Sequence, residues 1–392
     1  MSYGLVARPL SGMKEKSMQT RAALLWEAEA PWSVETIDLD APRADEVLVR
    51  MFAAGLCHTD EHNVTGDLPG PYPFIGGHEG AGVVEKVGAS VTSVAPGDHV
   101  AMSFIASCGR CPSCVKGIQN LCDRGMFIAE GRPISDGTFR AHVRGQHLAT
   151  GNLLGTFAEH AVVHESSLIK VDADIPLELV ALVSCGVATG WGSSVYAAQV
   201  RSGETVVIVG LGGIGMNAVQ GARSAGAAEI VAIDLLEWKR ERAKVFGATH
   251  TADSVESALG LVAEVTRGQM ANCAIITTST ARPELMGSTL NLVGKRGRMI
   301  VTAVAEAGQS SIDLSLAELM FYEKTVRGAL YGSANPRYDV PNLLRLYSRG
   351  ELQLNELITT RYRLDDINQG FDDMRSGKNI RGVIMMDDSL AD

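Results

Sequence analysis

The sequence predicts an α/β protein in which a mostly β unit is joined to a doubly wound parallel sheet, and three observations point there. An apolar β-type run at residues 204–209 leads into a glycine turn and then an Ala/Val-rich helical stretch, the order that a nucleotide-binding βαβ unit requires. The residues before that turn break into short β runs separated by Gly and Pro, as in a mostly β domain. A length of 392 residues exceeds one ordinary domain and leaves room for both.

Taken in chain order, residues 1–17 are polar with Gly and Pro and are expected to form a loose leader, with Met13 and Met18 as alternative starts. Residues 18–186 form the mostly β unit, with strands expected at 20–26, 46–52 and 82–87 and a small cysteine lobe at 106–124. Residues 187–331 form the parallel-sheet unit, its strands expected at 204–209, 229–233, 274–277, 298–304 and 325–329. Residues 332–392, with Ser333-Ala334-Asn335-Pro336 following Gly332, carry two amphipathic helical patterns and a last strand at 382–386. They are expected to return to the β unit.

Charge and hydropathy exclude some partners. A formal net charge of -10 without a Lys/Arg stripe repels phosphate backbones, so nucleic acid is not an expected partner. The richest apolar run noted, residues 205–216, is short and glycine-interrupted, so no membrane span is predicted. The first residues lack the apolar block of a secretory signal, which makes the cytoplasm the expected compartment.

Cys108, Cys111, Cys114 and Cys122 follow the spacing C-x2-C-x2-C-x7-C, with Gly109, Pro112 and Gly117 supplying tight turns. That pattern suits a closed tetrahedral four-thiolate zinc site. Disulfides are disfavoured without a secretory context, while spacing alone leaves an iron-sulfur centre open. Cys273 is expected to be a small buried hydrophobe. Cys57, His78 and Cys185 lie far apart in sequence, each in a glycine-containing segment where backbone can approach a ligand closely. Two thiolates and one imidazole would leave a fourth position open.

Gly210-Leu211-Gly212-Gly213-Ile214-Gly215 forms the glycine turn, where backbone N–H groups at a helix start can meet a pyrophosphate. Asp234 ends the next apolar run, about twenty residues on, where a carboxylate binds the adenosine ribose and repels a 2′-phosphate. NAD is therefore expected over NADP; helix capping is the other use of such an Asp.

With these motifs in order, the chain from Met18 onward resembles the zinc-dependent medium-chain alcohol dehydrogenases, built from a GroES-like catalytic domain and a Rossmann domain. The resemblance implies two zinc ions per chain and NAD. It makes Cys57, His78 and Cys185 the catalytic zinc ligands, with Glu79 able to approach the metal and Asp60 orienting His78. Thr59 would contact the alcohol oxygen, and the proton would leave through Thr59, a cofactor ribose hydroxyl and a solvent-facing His62. His58 and Arg381 would neutralise the pyrophosphate and Lys239 would touch the ribose, while Leu68, Phe104, Phe127 and Leu154 would line an apolar substrate pocket. The small alcohol or aldehyde itself is not named by these residues. The dimeric members are similar over residues 122–157, which implies a homodimer.

Residues 26–35 and 65–69 are most similar to a nitrosodimethylaniline-dependent branch, which implies tightly held NAD and an external electron acceptor. A dehydrogenase of formaldehyde-thiol adducts is the enzyme alternative, for which Arg124 would grip a thiol carboxylate. A silent nucleotide-binding homologue is the alternative from another class. The joint presence of Cys57, Thr59, His62, His78 and Cys185 argues against it.

Overall fold

A computed structural model describes residues 17–387. Apart from Ser17, the expected leader, including Met13, lies outside the described residues. Three sheets organise the rest. Met18–Leu25, Ser33–Leu39, Ala141–Val143, Gln146–Thr150 and Phe74–Ile75 close a small barrel. A second sheet runs in the order Leu168–Val171, His99–Met102, Gly80–Val87, Glu46–Gly55, Arg381–Met385 and Ile358–Arg363, and His160–His164 also pairs with Glu46–Gly55. The alternation along Glu46–Gly55 turns Val47, Val49 and Met51 into one core, as a half-buried antiparallel strand requires.

The third sheet is wholly parallel, ordered His250–Ala252, Glu229–Ile233, Thr205–Val209, Ala271–Ile276, Val293–Val301 and Thr325–Gly328. In sequence terms this is the order 3-2-1-4-5-6 of a dinucleotide-binding sheet, with its crevice where the order reverses. Thr205–Val209 is central and buried at every residue, which explains its unbroken β-branched run. Cys273 lies fully buried in the neighbouring strand, where burial pushes its thiol up to about 12.

The tail contributes Pro336–Ser348 and Ile367–Arg375 as helices and returns Arg381–Met385 to the second sheet beside Glu46–Gly55. Ile358–Arg363, parallel to Arg381–Met385, was not foreseen. Its inward positions are Ile358, Thr360 and Tyr362, of which only Tyr362 is fully buried, so Thr and Arg interrupt the apolar alternation that would mark a strand.

One expectation is corrected. Among the described residues, the segment long and apolar enough by composition to cross a membrane is not residues 205–216 but a helix over Leu177–Ala197. It is mostly buried within the protein, so its apolar surface is already covered. Residue 186, where the sequence reading divided the units, falls inside this helix. Gly190 and Gly221 let it approach the helix Gly213–Ser224: a Cβ on Gly190 would lie 2.1 Å from the Ile214 carbonyl oxygen.

Candidate active site

The helix His58–Thr65 starts from Cys57, placing that thiol at a helix N-terminus, where the backbone favours a thiolate. The Gly76–Gly80 turn carries His78 and Glu79, and a π-helical turn at Val183–Val187 carries Cys185. Such widened turns often occur at functional sites. One potential donor atom from each of Cys57, His78, Glu79 and Cys185 lies within 4.8 Å of all the others, and all four residues are buried. Cys57 accepts a hydrogen bond from Cys185, which holds Cys57 well below the usual thiol range and Cys185 well above it. Both sulfurs can ionise together only beside a cation.

Asp60 Oδ1 accepts His78 Nδ1 at 3.2 Å and the Gly77 N–H at 3.1 Å, while Oδ2 lies 3.1 Å from the same ring nitrogen. With Nδ1 committed, Nε2 is the ring atom left for the sulfur cluster. Burial opposes charge on His78, but Asp60 and Cys57 outweigh it and hold the ring well above its usual range. Burial likewise raises Asp60, with His78 pulling it back. Glu79 pairs with Arg381 through Oε2 and keeps Oε1 buried without a partner. Burial pushes its carboxyl up to about 8, against the pull of Arg381. Two thiolates, an imidazole nitrogen and an orphan carboxylate oxygen suit zinc.

Cys108, Cys111, Cys114 and Cys122 likewise bring their sulfurs within 4.8 Å of one another. Separations of 4.0 Å for Cys108–Cys114 and 3.9 Å for Cys111–Cys122 are too long for disulfides. A tetrahedron of sulfurs about 2.3 Å from one ion has edges near 3.8 Å, so the cage fits a single zinc and is too small for a multi-iron cluster. N–H groups of Cys108, Cys114 and Asp123 point at sulfur at 3.4 to 3.5 Å. Despite burial, N–H groups of Arg110 and Cys111 bring Cys108 down to about 6, whereas burial pushes Cys114 up to about 12.

The glycine turn spans the strand Thr205–Val209 and the helix Gly213–Ser224. A Cβ on Gly215 would fall 1.8 Å from the Gly210 carbonyl oxygen, while the space at Gly212 is open to 4 Å. Gly212 caps the helix without a side-chain bond, leaving N–H groups for a phosphate. Asp234 accepts the Leu211 N–H at 2.8 Å and the Leu236 N–H at 2.9 Å, which anchors it beside that turn. Arg381 lies against Gly213, with a buried Nε that has no partner. These orphan donors suit a dinucleotide pyrophosphate.

Several expectations change. Burial lowers His58 to about 4, with Cys57 opposing and His62, Lys239 and Arg381 adding to the shift. Lys239 is half-buried and lowered by burial, with Asp234 opposing the shift. His62 does not face solvent: it is 4% exposed, with Nδ1 2.9 Å from Asp67 and Nε2 3.1 Å from the Ser279 carbonyl oxygen. Both neighbours are acceptors, and the hydrogen bond from His62 holds Asp67 below the usual carboxylate range.

Thr59 Oγ1 lies 3.8 Å from Cys57 Sγ. Phe104 meets His78 edge-on at 5.6 Å, and Leu68 is half-buried, its N–H bonded to the His62 carbonyl oxygen. Phe127 ends a short turn after Cys122 on the cysteine lobe. Leu154 is 1% exposed in the core with Val47 and Val49, so it packs the β unit rather than lining a cleft. Tyr331 was missed: its ring meets Phe104 at 5.6 Å and its hydroxyl donates to the Ser184 carbonyl oxygen at 2.7 Å, bracing the Cys185 turn. No local motif marks it.

Two family models match, an alcohol dehydrogenase GroES-like domain over residues 43–173 and a zinc-binding dehydrogenase domain over residues 213–349. The chain is 48% identical to alcohol dehydrogenase B of Mycobacterium tuberculosis, over 95% of this chain and 99% of that protein. It is 49% identical to an NDMA-dependent alcohol dehydrogenase of Amycolatopsis methanolica, over 94% and 99%. Among solved structures, benzyl alcohol dehydrogenase of Acinetobacter calcoaceticus is similar with a TM-score of 0.85 at 30% identity, covering 94% of this chain and all of that one. An alcohol dehydrogenase zinc-binding domain protein of Burkholderia ambifaria has a TM-score of 0.89 at 34% identity, covering 95% of this chain and 100% of that one. With two cysteine-based cages in one chain and both family domains in place, the protein belongs to the zinc-dependent medium-chain alcohol dehydrogenases.

Proposed function

We propose that this alcohol dehydrogenase keeps its NAD bound and delivers reducing equivalents to an external acceptor. The observation that carries this is the near full-length likeness to the NDMA-dependent enzyme. Residues 18–186 and 332–392 would act as the catalytic domain and residues 187–331 as the nucleotide domain. The apolar ring of Phe104 beside His78 supports an alkyl or aryl alcohol as substrate. Arg124 contacts His164 instead of the His78 cluster, which gives no support to the thiol-adduct alternative. Leu316 and Phe321, 78% and 73% exposed near the edge strand Thr325–Gly328, support a homodimer built across that edge. The cytoplasm is the proposed compartment.

When bound at Cys57, His78 and Cys185, zinc supplies Lewis-acid polarisation of the alcohol oxygen, and NAD supplies the hydride acceptor. Thr59 would hold the substrate hydroxyl. His62, three residues on and on the same helix, would receive the proton, and Asp67, whose side chain is 32% exposed, would give it a path to water. Asp67→Asn is then expected to slow acceptor-coupled oxidation about 10-fold near neutral pH. The loss should shrink at alkaline pH and be rescued by added imidazole. An unchanged pH profile with normal turnover would remove Asp67 from the path.

The reading as a whole is tested by denaturing purified protein, identifying released nucleotide, and assaying an alcohol panel with free NAD or an artificial acceptor. Stoichiometric NAD in the supernatant and faster turnover with the acceptor are expected. Nucleotide-free protein that saturates ordinarily with NAD would overturn the non-exchanging reading.

A further inference from the structure

A cavity of about 730 Å³ opens between the cysteine lobe, the second sheet and the start of the helix Pro336–Ser348. Arg43, Arg110, Arg124 and Arg337 line it together with His164 and Ser166. None of Cys57, His78, Glu79 or Cys185 borders it. In a chain with a formal net charge of -10, four guanidinium groups around one void need a physical account.

The carboxylates in the same wall do not provide it, because each is committed elsewhere. Asp136 serves the buried Arg140 at 2.8 Å and reaches Arg43 only at 3.8 Å. Glu165 accepts the Thr92 and Ser93 N–H groups and the Ser93 hydroxyl. Asp45 lies 3.2 Å from His164 Nε2. Among the described residues, Arg110, Arg124 and Arg337 have no carboxylate within ion-pair distance.

Arg124 is the sharpest case. The His164 Nδ1 atom accepts the Ser166 N–H at 2.9 Å, so in the neutral ring the proton lies on Nε2, where Asp45 can accept it. Arg124 Nη1, 3.1 Å from that same Nε2, then meets an N–H rather than an acceptor. Next to it, the Ser166 hydroxyl is buried without a hydrogen-bond partner, in a residue only 5% exposed. An uncommitted guanidinium and an orphan hydroxyl in one wall call for an acceptor from outside the chain.

We propose that this cavity binds a small polyanion, one bearing two or more phosphate or carboxylate groups, at a site separate from the catalytic cluster. Guanidinium forks suit both kinds of oxyanion, and the volume is that of a small-ligand site. The bound anion would also link Arg110 and Arg124 of the cysteine lobe to Arg43 and Arg337 outside it.

Calorimetry on the zinc-loaded full chain with pyrophosphate and with citrate, against sodium chloride at matched ionic strength, tests the site and separates the phosphate from the carboxylate source. Saturable binding of at least one of the two is expected, with a rise in melting temperature that chloride does not reproduce. The variant Arg110→Gln/Arg337→Gln, which alters two exposed side chains, should weaken that binding about 10-fold or more. Zinc content and alcohol oxidation should stay at the wild-type level. No saturable binding, or only the effect of ionic strength, would overturn the proposal. Binding of unchanged affinity in the double variant would also overturn it, by moving the anion to the nucleotide crevice.

Discussion

Replacing Cys185 with alanine is expected to leave a folded chain that oxidises almost no alcohol. The sulfur lies in the cluster with Cys57, His78 and Glu79, and the substitution removes one thiolate without disturbing the rest of the Leu177–Ala197 helix. Losing several kcal/mol of electrophilic stabilisation corresponds to a drop of about 10³-fold or more. Metal analysis should show that the variant keeps the zinc of the four-cysteine cage and loses the other. Acceptor-coupled turnover at the wild-type rate would remove Cys185 from the catalytic ligands.

Cys114→Ala should fail in the opposite way. Around the second cage, the buried apolar side chains amount to Ala106 and the cysteines themselves, with Ile134 packed at the edge. So small a core cannot replace an ion whose binding is worth roughly 10–16 kcal/mol in zinc-finger peptides. A lower melting temperature and a poor soluble yield are expected, while the surviving folded fraction keeps its turnover per catalytic zinc. Melting and zinc content unchanged from wild type would mean that the cage is not a structural zinc site.

What was legible in advance was what chain neighbours encode. The strand, glycine turn and helix around Gly210–Gly215 are contiguous, so the phosphate-binding geometry follows from local backbone requirements. The four lobe cysteines are likewise close in sequence and converge in space. Cys57, His78 and Cys185 became legible through family resemblance, since no local pattern joins them. His62 was misjudged because its exposure is decided by the Ser279 carbonyl, 217 residues away. Leu154 and Tyr331 illustrate the same limit: a leucine reads alike in a core and in a pocket, and nothing near Tyr331 announces Ser184. The Leu177–Ala197 helix escaped notice because, buried on nearly all sides, it lacks the polar stripe of an amphipathic helix.

That helix also bears on how the two ligands communicate. It carries Cys185 in its widened turn and, at Gly190, rests against the Ile214 carbonyl of the nucleotide-binding helix. The metal cluster and the nucleotide-binding helix are thus joined through one helix, and any coupling between them is reciprocal. Whatever factor zinc adds to nucleotide affinity, the nucleotide adds to zinc affinity. To the extent that the helix couples the two sites, a chain that retains its dinucleotide also resists chelators, and stripping the catalytic ion loosens the dinucleotide by the same factor.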